Sequence, residues 1–164
     1  MKPYRATCLV IAAAMSTLAA PTSAVAATPS NDDLRNAIRI APLPFRHSVN
    51  VTAATRDASA PIDSACRSKT GRSVWYRLTL ARTHRIMLAT RHSSYDTVLN
   101  LYRRTDSGDL RLVSCDDDSG GNLSSVLVHQ IDGGTRYIVM VADYADGTTS
   151  ATLALQAKSI PYRR

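Results

Sequence analysis

Ser73-Val74-Trp75-Tyr76-Arg77-Leu78-Thr79-Leu80 alternates residue by residue between two sets of side chains. Val74, Tyr76, Leu78 and Leu80 share one parity, and Trp75, Arg77 and Thr79 share the other. A period of two marks an extended strand, because successive side chains point to opposite faces of a sheet. The same period recurs downstream. Residues 84–90 place Ile86 and Leu88 together, residues 97–102 form a mixed apolar run, and residues 110–115 follow the turn Asp106-Ser107-Gly108-Asp109. Residues 125–131 form a further strand; after the turn Asp132-Gly133-Gly134, Tyr137, Val139 and Val141 alternate with Ile138 and Met140. Asp146-Gly147 precedes a last strand with Leu153 and Leu155 inward.

Upstream, Val49 and Val51 also alternate, and residues 56–71 read as a long loop carrying Cys66. Before them, Ser30 or Asn31 can cap a short helix with Asp32 and Asp33 in its first turn, where the helix dipole favours acid. Leu34, Ala37 and Ile38 would be its apolar stripe, ended by Pro42 and Pro44. Seven or eight short strands between turn signals predict an all-β fold, an antiparallel β-sandwich of jelly-roll type with a short N-terminal helix.

The chain has 164 residues, and its first part has the layout of a secretory leader. Lys2 and Arg5 precede an apolar, Ala-rich run over residues 8–20, and Ala24-Val25-Ala26-Ala27 offers a small-residue cleavage site. Cleavage after Ala26 or Ala27 makes residues 1–27 a signal peptide and residues 28–164 a single domain, secreted or periplasmic, with no transmembrane segment left. Two cysteines remain, Cys66 and Cys115, and an exported chain with an even count points to a disulfide. All thirteen acids are Asp. The arginines stand singly along the chain, apart from Arg103-Arg104 and Arg163-Arg164. No basic block with interleaved aromatics occurs, so a nucleic-acid partner is not expected.

In order along the chain stand Asn31-Asp32, Ala54-Thr55, Ser73-Val74-Trp75-Tyr76, Asp96-Thr97-x-Leu99-x-x-Tyr102, Ser114-Cys115-Asp116-Asp117-Asp118 and Gly134-Thr135-x-Tyr137-x-Val139-x-Val141. In this order and spacing, over residues 30–156, the chain resembles the bacterial pre-peptidase C-terminal domain, related to the collagen-binding modules of secreted collagenases. The resemblance implies a jelly-roll-like sandwich without catalysis of its own, assisting the secretion, maturation or attachment of a partner enzyme. Where the collagen-binding modules place calcium-binding acids, this chain has Ala27, Thr28, Pro29 and Ser30.

Three constellations could carry chemistry. Asp116-Asp117-Asp118-Ser119-Gly120-Gly121-Asn122 sets three carboxylates in one loop, with Asp96 at a nearby strand start. Calcium takes six to eight oxygens from such groups, so Asp96, Asp116, Asp117 and Asp118 are the calcium candidates. The competing reading is that these side chains bond backbone N–H groups in turns. A hydrolase would need a Ser or other nucleophile held against a base; of His47, His84, His92 and His129, only His92, in a loop near Asp96, suits that role. No G-x-S-x-G elbow is present, and without Glu no H-E-x-x-H helix can form. Trp75, Tyr95 and Tyr144 are candidates for an aromatic binding rim, although the area a Trp buries favours Trp75 packing in the sandwich core or over the disulfide. The expected function is that of a non-catalytic binding or accessory module whose partner is a secreted peptidase, an extracellular protein or a polysaccharide. The alternatives are an envelope-structural protein without a specific ligand, and an unrecognised hydrolase.

Overall fold

The computed structural model describes residues 26–57, 66, 71–144 and 150–161. Residues 1–25 of the expected leader, most of the loop around Cys66 and the Asp146-Gly147 turn lie outside these residues. The described residues form nine strands: β1 Ile38–Arg39, β2 Phe45–Asn50, β3 Ser73–Leu78, β4 His84–Ala89, β5 Thr97–Arg104, β6 Leu110–Asp116, β7 Val126–Ile131, β8 Tyr137–Asp143 and β9 Thr152–Ser159. They make a five-stranded sheet, β1-β3-β8-β5-β6, and a four-stranded sheet, β2-β9-β4-β7.

Antiparallel pairs nest one inside another: β2 with β9, β3 with β8, β4 with β7 and β5 with β6. That is a long hairpin folded back across two sheets, the jelly-roll arrangement. The pairs β4·β9 and β5·β8 then complete each sheet. The parity read from residues 73–80 holds in space. Val74, Tyr76 and Leu78 meet Leu99, Leu101, Val139 and Val141 of their own sheet and Ile86, Leu88, Leu127, Leu153 and Leu155 of the other, in one core. Burying each large aliphatic side chain contributes about 1.5–3 kcal/mol.

The N-terminal helix is shorter than expected, a single 3-10 turn at Leu34–Asn36. Ile38 does not extend it. It enters β1 instead, parallel to β3, with Ile38 opposite Tyr76 and Arg39 opposite Arg77. The spacing of Leu34, Ala37 and Ile38 suits a helix, but Ile38 packs against the inner core while Ala37 joins the opposite face. Alternation therefore prevails over helical spacing at this point. The outer face of the five-stranded sheet is apolar beneath its rim, where Ala37, Trp75, Tyr102, Ile138, Met140 and Ala142 form a second cluster. Cys66 is bonded to Cys115 of β6, as the cysteine count predicts.

Candidate functional site

The pairing of β5 with β6 brings the start of one strand beside the end of the other, with Leu99 opposite Asp116. The loops at that end therefore share one corner of the sandwich. There the carboxylates of Asp96, Asp117 and Asp118 each place an oxygen within 4.8 Å of the others. They amount to three of the oxygens a calcium ion would take. Asp116 does not join them, and the four-residue set expected from sequence reduces to three. Its Oδ2 accepts hydrogen bonds from the N–H of Val126 at 2.7 Å and of Ser119 at 3.2 Å. Ser119 Oγ in turn donates to the Val126 carbonyl at 2.9 Å, so the loop clamps both polar groups of the first β7 residue.

A buried hydroxyl network anchors the same loop. Thr90 Oγ1 and Thr97 Oγ1 lie 2.6 Å apart, the Ser125 N–H donates to Thr90 Oγ1 at 2.8 Å, and Ser125 Oγ donates to the Asp117 carbonyl at 2.9 Å. Thr90, Thr97 and Ser125 are fully buried. Sequence reasoning missed all three, since an isolated hydroxyl in a strand carries no sign of its partners. The glycines behave as the bend requires. Gly121 has φ +77°, and a Cβ on Gly120 would meet the Ser124 carbonyl oxygen at 2.5 Å.

The aromatic rim is not assembled. Trp75 has no exposed surface, because the outer cluster covers its face of β3 as the inter-sheet core covers the other. Tyr95 is 7% exposed and packs into the inner core. Burial first, then the neighbouring Tyr76 and Asp143, push its phenol up, so it stays neutral. Close by, Arg72 binds Asp143 at 3.1 Å and donates to the Thr52 carbonyl at 2.8 Å. Only Tyr144 of the three is partly accessible.

His92 sits exposed at φ +74° in a shallow cleft with Ser93 and Ser124. Both hydroxyls are engaged with backbone: Ser93 Oγ accepts from the Ala154 N–H at 3.0 Å, and Ser124 Oγ donates to the Gly121 carbonyl. Among the described residues, no hydrogen bond joins His92 to a serine or a carboxylate. His129 faces inward with Leu127 and Ile131, its ring 6.3 Å from that of Tyr137. His47 Nδ1 lies 2.9 Å from the Tyr76 hydroxyl, and burial lowers its pKa.

A cleft of about 580 Å³ lies on the outer face of the five-stranded sheet, beside the 3-10 turn. Arg35, Arg56, Arg77 and Arg104 line it together with Asp33 and Asp57. Its position follows from alternation. Arg77 comes two residues after Trp75, and Arg104 two after Tyr102, so both arginines emerge on the face whose floor is apolar. Asp33 pairs with Arg35 at 3.3 Å, and Asp57 Oδ2 accepts the Leu34 N–H at 2.9 Å. The arginines are far apart in sequence: strand register places Arg77 and Arg104, and the 3-10 turn and the chain after β2 bring Arg35 and Arg56.

No family model matches the chain, and no curated protein matches it. Among solved structures, it is similar to the pre-peptidase C-terminal domain of a collagenase from Bacillus anthracis. The likeness covers 74% of this chain and 94% of that one at 14% identity and a TM-score of 0.48, and it concerns the fold alone.

Proposed function

We propose that the protein is an exported, non-catalytic binding module and that the outer face of its five-stranded sheet is the contact surface. One observation carries this reading: the cleft in which Arg35, Arg56, Arg77 and Arg104 surround a rigid apolar floor. Charged side chains held on paired strands recognise a partner by position, with no reactive group needed. The Cys66–Cys115 bridge supports an oxidising compartment. No helix among the described residues is long and apolar enough to cross a membrane. The partner belongs to one of three classes: a secreted peptidase assisted in trans, an extracellular protein, or a polysaccharide of the envelope or surroundings.

The test is retention of labelled protein, residues 28–164, on washed envelopes of the producing cell. Replacing Arg77 and Arg104 together by Gln is expected to release it without lowering the melting temperature. Retention equal to that of the unaltered protein would remove the cleft as the contact surface. Turnover of peptide or ester substrates that disappears in His92→Ala would overturn the non-catalytic assignment.

A further inference from the structure

Two like-charged pairs stand in register on the outer face of the five-stranded sheet. Arg39 lies directly opposite Arg77 on the adjacent strands β1 and β3. Arg104, at the end of β5, donates its N–H to the Arg136 carbonyl at 2.9 Å, which sets these two arginines side by side. Neighbouring strands run about 4.8 Å apart, and like charges directly opposite one another destabilise a sheet. Arg39, Arg77 and Arg104 form no ion pair among the described residues, and Arg136 reaches only Asp106, at 3.9 Å, with both side chains more than half exposed. The repulsion is therefore left for something outside the chain to relieve. From Arg39 across β3 and β8 to Arg104 the row crosses three strand spacings, about 14 Å, and steps two residues along the strands, since Arg77 is level with Tyr102.

We propose that this row binds an acidic polysaccharide, its carboxylates taken by the guanidinium groups and its hydroxyls by the acidic residues among them. The inference rests on the contact surface assigned above and names the ligand class. Guanidinium groups meet carboxylates through paired, charge-assisted hydrogen bonds. Half-exposed Asp33, at the edge of the same cleft, is an acceptor that suits a sugar hydroxyl and opposes a chain of bare phosphates. Among the described residues the face offers no ring on which a base could stack, since Trp75 and Tyr102 are both fully buried. Nor does it offer an apolar wedge for a bilayer. The exposed large apolar residues among those described are Val113, Leu123 and Val128, and they form no shared patch here: Val113 stands alone on the edge strand β6, where the register with β5 shifts, Leu123 is in the loop before β7, and Val128 belongs to the other sheet.

The experiment is titration of the protein with polygalacturonate, with its methyl ester as the uncharged control, at low and high salt. Binding to polygalacturonate is expected to weaken with salt, to vanish with the ester, and to fall about tenfold or more in Arg77→Gln/Arg104→Gln, the loss of two exposed charge pairs. Arg46→Gln/Lys158→Gln, on the other sheet, is expected to bind as the unaltered protein does. Absence of binding, or equal loss in the two double variants, overturns the proposal. So does preference for single-stranded DNA or for phosphatidylglycerol vesicles over polygalacturonate. If polygalacturonate fails while envelope retention still depends on Arg77 and Arg104, the ligand class is wrong and the contact surface stands. If both fail, the contact surface falls too.

Discussion

Two tyrosines on opposite faces of one sheet differ in a single atom's surroundings. Tyr76 packs in the inter-sheet core and its hydroxyl meets His47 Nδ1 at 2.9 Å. Tyr102 packs in the outer cluster, where its hydroxyl is buried without a hydrogen-bond partner and burial pushes its pKa up to about 12. A buried polar group without a partner keeps its full desolvation penalty of about 1–3 kcal/mol, while a satisfied bond contributes about 1 kcal/mol. Tyr102→Phe is therefore expected to hold or raise stability, and Tyr76→Phe to lower it by about 1 kcal/mol; urea midpoints of the two variants check this. His47 adds a dependence on pH. Its unfolded imidazole titrates near 6.5, and burial holds the folded value below that. Between those two values the unfolded chain binds more protons, so the stability from this group is complete above about pH 6.5 and is lost as pH falls toward the folded value. His47→Gln is expected to flatten the decline in melting temperature between neutral and mildly acid pH; an unchanged slope would assign the decline to other groups.

At the scale of elements, the Asp116–Ser125 loop divides its acids between two tasks. Asp116 holds the β7 start through the Val126 N–H, whereas the exposed side chain of Asp118 makes no hydrogen bond or ion pair among the described residues. In the presence of chelator, Asp116→Ala is expected to cost about 1–3 kcal/mol and Asp118→Ala less than about 0.5 kcal/mol. Calcium then separates the two readings of Asp96, Asp117 and Asp118. An ion held only by the folded chain raises the melting temperature, and Asp118→Ala would blunt that rise. Melting indifferent to calcium leaves these carboxylates as loop ties. The acidic loop was legible because its acids are adjacent, and Asp96 was legible as a neighbour because it opens a strand. That Asp116 ties backbone N–H groups rather than joining the other carboxylates was not legible, because a run of three acids does not show which one points at a backbone N–H. The strands from residue 73 onward were legible through their period of two. β1 was not, since two residues are too few to show a period and Leu34, Ala37 and Ile38 satisfy helical spacing. The arginine row was illegible for a different reason: Arg39, Arg77, Arg104 and Arg136 meet only through pairings of β1 with β3 and of β5 with β8, which no local pattern encodes.

At the scale of the molecule, every pair in the jelly roll except the β5·β6 hairpin joins strands far apart in the chain, so the fold closes long loops before its core can form. The Cys66–Cys115 bridge bears on that cost. It links the connection between β2 and β3 to β6, at the edge of the five-stranded sheet, across a sequence separation of 49 residues. Cross-linking a loop of that length removes conformational freedom from the unfolded chain corresponding to about 4 kcal/mol in the loop-entropy model. The inner core does not involve either cysteine, so the folded architecture is expected to survive reduction. Reduction should then lower the urea midpoint by the equivalent of about 4 kcal/mol while the β-sheet circular dichroism of the folded state is retained. A midpoint unmoved by reductant would mean that the unfolded chain is already confined without the bridge. Loss of the β signal on reduction in the absence of urea would show that the core alone, with its nested long-range pairings, is too weak to hold the two sheets together.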